Sequence, residues 1–175
     1  MDPRLFHPET NRMIRAWLDA RGADAAPTLR DFPLPALSQA ADRLMVLGRE
    51  IGGGWRLRLA GEFVLERHGR GHARFSDLFH DGDWARRAAL EAVRAGAPVV
   101  LDLLAARPGR RVAVEMTLAP CRGPSGALDR LVALHRPLAE MLDDGWALQG
   151  QGLHAVLRAA PPTPRLAAVD GRLTA

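Results

Sequence analysis

The chain has 175 residues, 47% of them apolar, and a formal net charge of +4. This composition favours one globular domain with a core of its own, and the single cysteine excludes a disulfide framework within one chain. All 24 basic residues are arginine, scattered among acids, so we do not expect a nucleic-acid surface. No signal peptide or membrane span is apparent, and we expect a cytoplasmic protein.

The first predicted helix runs from Pro8 to about Arg21 and ends at Gly22. Its apolar side chains fall on one stripe, which consists of Met13, Ile14, Trp17 and Leu18. An apolar stripe must be buried somewhere, and this helix lies outside the minimal domain described below. We therefore predict a homodimer that uses this stripe as its contact; in the alternative, the helix covers its own sheet.

Two strands are predicted next, near residues 43–49 and 55–61, on either side of the turn Gly52–Gly54. The residues expected on the buried face of the second strand are Trp55, Leu57 and Leu59. Those expected on the opposite face are Arg56 and Arg58. The two arginines are either solvated and paired with Glu115 across the sheet, or they form a docking surface for an acidic partner or an anion.

A helix is predicted from Asp81 to Gly96, because an aspartate can cap its start and a glycine follows its last turn. Three hairpin-linked strands follow, near residues 98–106, 111–120 and 127–137. This order indicates an α+β fold with one five-stranded antiparallel sheet, helices on one face, and the N-terminal helix in addition. The residues expected to be mostly buried are Trp55, Leu57, Leu59, Trp84, Val112, Val114 and Met116.

The order of elements and four short motifs resemble the PAS domain, and in particular the small stand-alone PAS proteins of bacteria. The motifs are Arg58–Gly61, Phe63 to Gly69, Phe75–Phe79 and Arg111–Met116. A tail element from Thr163 to Gly171 also resembles a segment that follows the domain in that family. We accordingly divide the chain into an N-terminal helix and linker (1–26), a PAS domain (27–138) and a C-terminal extension (139–175).

The resemblance implies a non-catalytic sensory or regulatory protein of bacterial signalling, which acts by binding a small ligand, a partner protein, or both. The candidates for lining a ligand cavity are Trp55, Leu57, Trp84, Met116 and Leu134. Packed core is the alternative for each of them, because a PAS cavity is the same core with room left in it. The whole chain is alternatively a ligand-free interaction module or, more remotely, an enzyme of unrecognised type.

No particular cofactor is predicted. Some relatives form a flavin adduct with a cysteine, but the corresponding stretch here, Gly69 to Phe75, has no thiol, and Cys121 is expected to be a small apolar residue. Haem is not expected either, because the helix that would supply a histidine has none and His80 only precedes it. We interpret His68 and His72 as surface residues and expect no metal site. The acids at Glu62 and Glu66 are interpreted as solvated, so no catalytic residue is predicted.

Overall fold

The computed structural model describes residues 6–22 and 24–156. Its strands are β1 (Leu44–Arg49), β2 (Trp55–Ala60), β3 (Val99–Arg107), β4 (Arg110–Cys121), β5 (Arg130–Pro137) and β6 (Ala147–Ala155). Its α-helices are α1 (Pro8–Arg21), α2 (Glu62–His68) and α3 (Gly82–Ala95), and two 3-10 segments lie at Leu34–Arg43 and Phe75–Leu78. The strands form one sheet in the order β2-β1-β5-β4-β3-β6, and every neighbouring pair is antiparallel. The predicted α+β fold with a single antiparallel sheet is confirmed.

The sheet has six strands where five were predicted, because β6 adds to the edge formed by β3. This strand was not predicted because glycines and glutamines interrupt its apolar pattern and have low strand propensity. The pairing also shifts register, with Asp102 opposite Gly152 and Leu103 opposite Gly150. The sheet therefore continues into the segment assigned to the C-terminal extension, while the tail element at 163–171 lies outside the described residues.

One face of the sheet, here called the inner face, carries α2 and α3. The Asp81 side chain accepts hydrogen bonds from the backbone N–H groups of Asp83 and Trp84, which caps α3, and Gly96 ends the helix with φ 57°. The buried residues of α3 are all alanines: Ala85, Ala88, Ala89 and Ala92. Small side chains let this helix lie close to the sheet. No helix in the described part of the chain is long and apolar enough to span a membrane.

The prediction for β2 was correct at its start and wrong at its end. Trp55 is only 4% exposed, but Leu59 is 57% exposed. Pairing with β1 explains the difference, because Leu57 lies opposite Leu47 and Leu59 lies opposite Val46, which leaves Arg58 as an extra residue. Such a bulge reverses the alternation of side chains, so the strand turns its last leucine away from the inner face.

The other predicted core residues are mostly where they were expected. Val112, Val114 and Met116 on β4 are buried in the inner core. Leu57 and Trp84 are only half-buried, although both pack against that core.

The opposite face, here called the outer face, is covered by α1 where β4 and β5 run side by side. Met13 and Trp17 of the helix are fully buried there. The indole Nε1–H of Trp17 donates to the backbone carbonyl oxygen of Pro120 at 2.6 Å. The sheet residues of this outer core are Leu44, Ala119, Cys121, Val132 and Leu134. Both faces of the sheet thus carry a core, and α1 completes one of them.

Candidate functional site

The residues predicted to line a ligand cavity do not all meet. Trp55 and Met116 lie in the inner core, with Leu57 and Trp84 packed against its edge. Leu134 belongs to the outer core, on the opposite face of the sheet. Leu134 lies two positions from Val132, on the face of β5 that α1 covers, so it cannot reach the same space as the other four.

Side chains pack against one another between α3 and the sheet. Trp55 and Met116 are buried among the alanines of α3 and the aliphatic residues of β3 and β4. Trp84 lies directly over Gly150 of β6, where a side chain would collide with its indole ring. Trp55 also lines a groove of about 340 Å³ between α3 and the β1–β2 hairpin, but this groove is open at the surface.

A pair of buried histidines lies at the end of the inner core. His68, at the C-terminal end of α2, is 4% exposed, and His135 on β5 is fully buried. Their Nε2 atoms are 3.0 Å apart, and the rings meet edge to face. The interpretation of His68 as a surface residue was wrong, because the turn of α2 that carries it packs onto β5. His72 is half-buried, and its Nε2 atom lies 2.5 Å from the backbone oxygen of His68.

The hydrogen bonds fix the protons on the two rings. Nδ1 of His68 lies 2.7 Å from the backbone oxygen of Trp146, and this oxygen can only accept, so Nδ1 is protonated. In the neutral His68 ring Nε2 is then an acceptor, and Nε2–H of His135 donates to it. Nδ1 of His135 is left as a buried acceptor that has no donor among the described residues.

Burial keeps both rings neutral. It lowers the pKa of His68 to about 4, although the hydrogen bond to Trp146 acts in the opposite direction and the charge that His72 can carry lowers it further. Burial also holds the pKa of His135 well below its usual value, and the charges of His68 and Arg43 act the same way. The pair therefore joins α2, β5 and the chain before β6 only in its neutral form.

The sequence contains one indication of this pair, which is the position of His135 on β5. His135 alternates along β5 with Leu131 and Ala133, which face the inner core, so it had to face inward as well. Two imidazoles alone are a poor metal site, and the described residues contain no cluster of three or more histidines, cysteines or acids that could hold a metal ion. The acids of α2 are exposed and pair with neighbouring arginines, Glu62 with Arg70 and Glu66 with Arg67, which agrees with their interpretation as solvated acids.

The predicted partner surface is exposed. Arg56 and Arg58 both have exposed side chains on β2. The expected pairing with Glu115 is wrong, because that carboxylate is buried on β4, opposite Arg136 of β5, and accepts a hydrogen bond from the backbone N–H of His7 at 3.0 Å. The two arginines remain available to another molecule.

The residues predicted as homodimer contacts are largely buried within one chain. Met13, Ile14 and Trp17 are buried, and Leu18 is half-buried. The reason given for a dimer through this stripe no longer holds, because α1 covers its own sheet, as the alternative stated. Homodimerisation itself stays a prediction.

Cys121 is a buried thiol in the outer core, and burial raises its pKa to about 12. It behaves as the small apolar residue that was expected.

A family model described as the PAS domain matches residues 5–135. The match takes in α1, β1 to β4 and most of β5, and it confirms the resemblance that the motifs indicated. No curated protein and no solved structure matches the chain. PAS domains are sensory or regulatory signalling modules and are generally non-catalytic. Since the match covers most of the 175 residues, the chain belongs to the PAS domain family.

Proposed function

We propose that this chain is a non-catalytic regulatory protein of bacterial signalling that acts in the cytoplasm by binding a partner protein. The observation that carries the proposal is the burial of Trp55 and Met116 in the inner core beneath α3, which supports a filled core. A ligand in this space would have to displace side chains from a close-packed core, which costs several kcal/mol for an aromatic residue. Partner binding requires no such change, because the outer surface of β2 is already exposed.

A small-ligand sensor is the second candidate, and one observation favours it. Nδ1 of His135 is buried and unsatisfied among the described residues, and an unmade hydrogen bond of this kind costs about 1–3 kcal/mol. A ligand with an N–H or O–H donor would relieve this cost, provided that the side chains around it move aside.

Native mass spectrometry of the purified intact chain separates the two candidates. Partner binding with a filled core predicts the mass of the chain alone, 19.0 kDa, or a multiple of it. A co-purifying molecule at a constant ratio, lost under denaturing conditions, would replace this proposal with the sensor. The matched variant is His135→Phe, which keeps an aromatic ring at this position without a ring nitrogen and would lose a ligand bound there.

Homodimerisation is a further part of the proposal, now without the stripe on α1 as its contact. Light scattering on the intact chain tests it over a range of concentrations. A mass of two chains supports the dimer, and a single-chain mass at the highest concentration rejects it.

A further inference from the structure

A row of arginines crosses three strands on the outer face. Gly48 of β1 pairs with Arg56 of β2 on one side and with Arg130 of β5 on the other. Arg130 also pairs with Cys121, which lies in the outer core, so this row projects from the outer face. Residues directly opposite one another across a sheet share a face, and Arg56 and Arg130 therefore flank the glycine.

The bulge in β2 adds a third arginine to this row. Arg58 is the residue that the bulge leaves unpaired, and its side chain crosses above Gly48. A Cβ atom at Gly48 would lie 2.7 Å from Nε of Arg58, so the guanidinium group occupies the room that the missing side chain leaves. We call Arg56, Arg58 and Arg130 the arginine row.

A pocket continues the arginine row at its Arg130 end. It has a volume of about 550 Å³. Its lining consists of Thr28, Leu29, Arg30, Arg122, Gly123, Pro124 and Arg130. The lining thus combines apolar side chains of leucine and proline with the guanidinium groups of three arginines. We call it the outer pocket.

The charges of this surface are only partly balanced within the chain. Arg122 pairs with Asp24 at 2.5 Å, and Arg130 pairs with Asp129 at 3.0 Å. Arg30, Arg56 and Arg58 have no acidic group within 4.0 Å in the described residues. An arginine presents a planar set of donors that matches a carboxylate, and arginine is enriched at protein interfaces for this reason.

We propose that the arginine row and the outer pocket bind an acidic segment of a partner protein, with carboxylates on the row and one apolar side chain in the pocket. The inference rests on the proposed function, since it names the partner that such a domain would bind. The arginines that are not balanced within the chain favour a partner with negative charges. A single-stranded nucleic acid would need aromatic side chains for its bases to stack on, and none lines the row or the pocket.

Fluorescence anisotropy of the intact chain with a labelled peptide, Glu-Glu-Glu-Leu-Glu-Glu-Glu, tests the proposal. We expect saturable binding that weakens as salt rises, because exposed charges are screened. The double variant Arg56→Gln/Arg58→Gln should bind about tenfold more weakly or worse. Replacing the peptide's leucine by glycine should weaken binding by about tenfold or more, which is the loss expected for a leucine side chain leaving a pocket.

The matched control is Arg86→Gln/Arg94→Gln, which removes the same charge from exposed positions on α3. It should change the affinity by less than about twofold, because these arginines lie on the other face. Equal losses in the two double variants would reject the arginine row in favour of net charge alone. A glutamine version of the peptide that binds as tightly, a single-stranded oligonucleotide that binds more tightly, or no saturable binding of the acidic peptide would also reject it.

The two experiments distinguish a failure of this binding site from a failure of the proposed function. Peptide binding that is unaffected by the row variant rejects this site but leaves partner binding intact. A ligand found by native mass spectrometry rejects the filled-core proposal whatever the peptide does.

Discussion

The two faces of the sheet bury their residues to different degrees. The inner face is covered by α2 and α3 and contains two histidines, both held neutral. The outer face is covered by α1 above β4 and β5 and by residues of the segment 26–40, whereas its edge at β2 carries the exposed side chains of Arg56 and Arg58. The inner face of this domain is packed against its helices, and the edge of the outer face at β2 is left exposed. Polar groups on the inner face must find partners within the chain, whereas those at the exposed edge can find them in another molecule.

Strand β2 contributes to both faces, so it provides the sharpest test of this difference. Trp55→Ala should destabilise the protein by about 3–5 kcal/mol, because it leaves a large cavity in the inner core. Leu59→Ala, near the end of β2 and on its exposed side, should cost less than about 0.5 kcal/mol. Urea denaturation followed by tryptophan fluorescence and circular dichroism measures both. Similar losses in the two variants would show that the bulge does not divide the strand.

The histidine pair predicts a pH dependence that belongs to the inner face. The unfolded chain binds protons with a histidine pKa near 6.5, whereas folded His68 resists protonation down to about 4. Stability is therefore fully present above about pH 6.5 and is lost as the pH falls toward 4. We expect His68 to contribute a loss of about 2 kcal/mol between about pH 8 and pH 5, and His135 to add to this loss in the same direction.

Urea unfolding of the wild-type chain and of two histidine variants over this pH range measures the effect. His135→Phe should reduce the loss to the part that His68 contributes, and His80→Gln, which removes an exposed histidine, should leave the profile unchanged. The groups that face the pair are His72, Arg43 and the backbone oxygen of Trp146. A wild-type profile that stays flat down to about pH 5 would show that the rings are more exposed than the structure has them.

The contact of Trp84 with β6 allows a smaller test of the same face. Gly150→Ala should cost about 1–3 kcal/mol, because the new methyl group collides with the indole ring, which must move. Gly152→Ala is the matched control on the same strand, since its nearest neighbour would lie 3.4 Å away. Thermal unfolding compares the two. If both variants unfold alike, Trp84 does not pack on this strand.

The smallest effect is expected at the contact between α1 and the outer face. Trp17→Phe keeps most of the apolar volume but removes the hydrogen bond to the Pro120 carbonyl, which should cost about 1 kcal/mol. Guanidinium unfolding measures this difference, and an unchanged midpoint would mean that the bond contributes nothing. A larger loss, comparable with that of Trp55→Ala, would make the outer core as important to stability as the inner one.

Much of the fold followed from alternation and turn residues. The five predicted strands lie within a few residues of their observed bounds, and α1 and α3 have the ends that their caps indicated. The bulge at Arg58 and the strand β6 were not predictable in this way. A bulge is decided by pairing with another strand, and a strand of glycine and glutamine is held mainly by its neighbour β3.

The candidate site was predicted less well than the fold. Arg56 and Arg58 were placed on the exposed face correctly, because period-two alternation is local. The histidine pair was missed because its members are 67 positions apart and meet only when α2 packs onto β5. Whether a buried residue lines a cavity depends on how closely α3 approaches the sheet, and that distance is set by tertiary packing rather than by any single segment.

The position of Cys121 beneath α1 gives the chain an intrinsic reporter of helix undocking. It is the single thiol in 175 residues, and burial keeps it protonated and out of contact with solvent. A disulfide-exchange reagent such as dithionitrobenzoate can react with it only after the helix lifts away or the domain unfolds, so the labelling rate under native conditions gives the free energy of that opening. Loss of the Trp17 hydrogen bond should accelerate labelling, while substitutions in the arginine row should not. A partner that binds by displacing α1 would make the thiol reactive at once, and one that binds beside the helix would leave it protected.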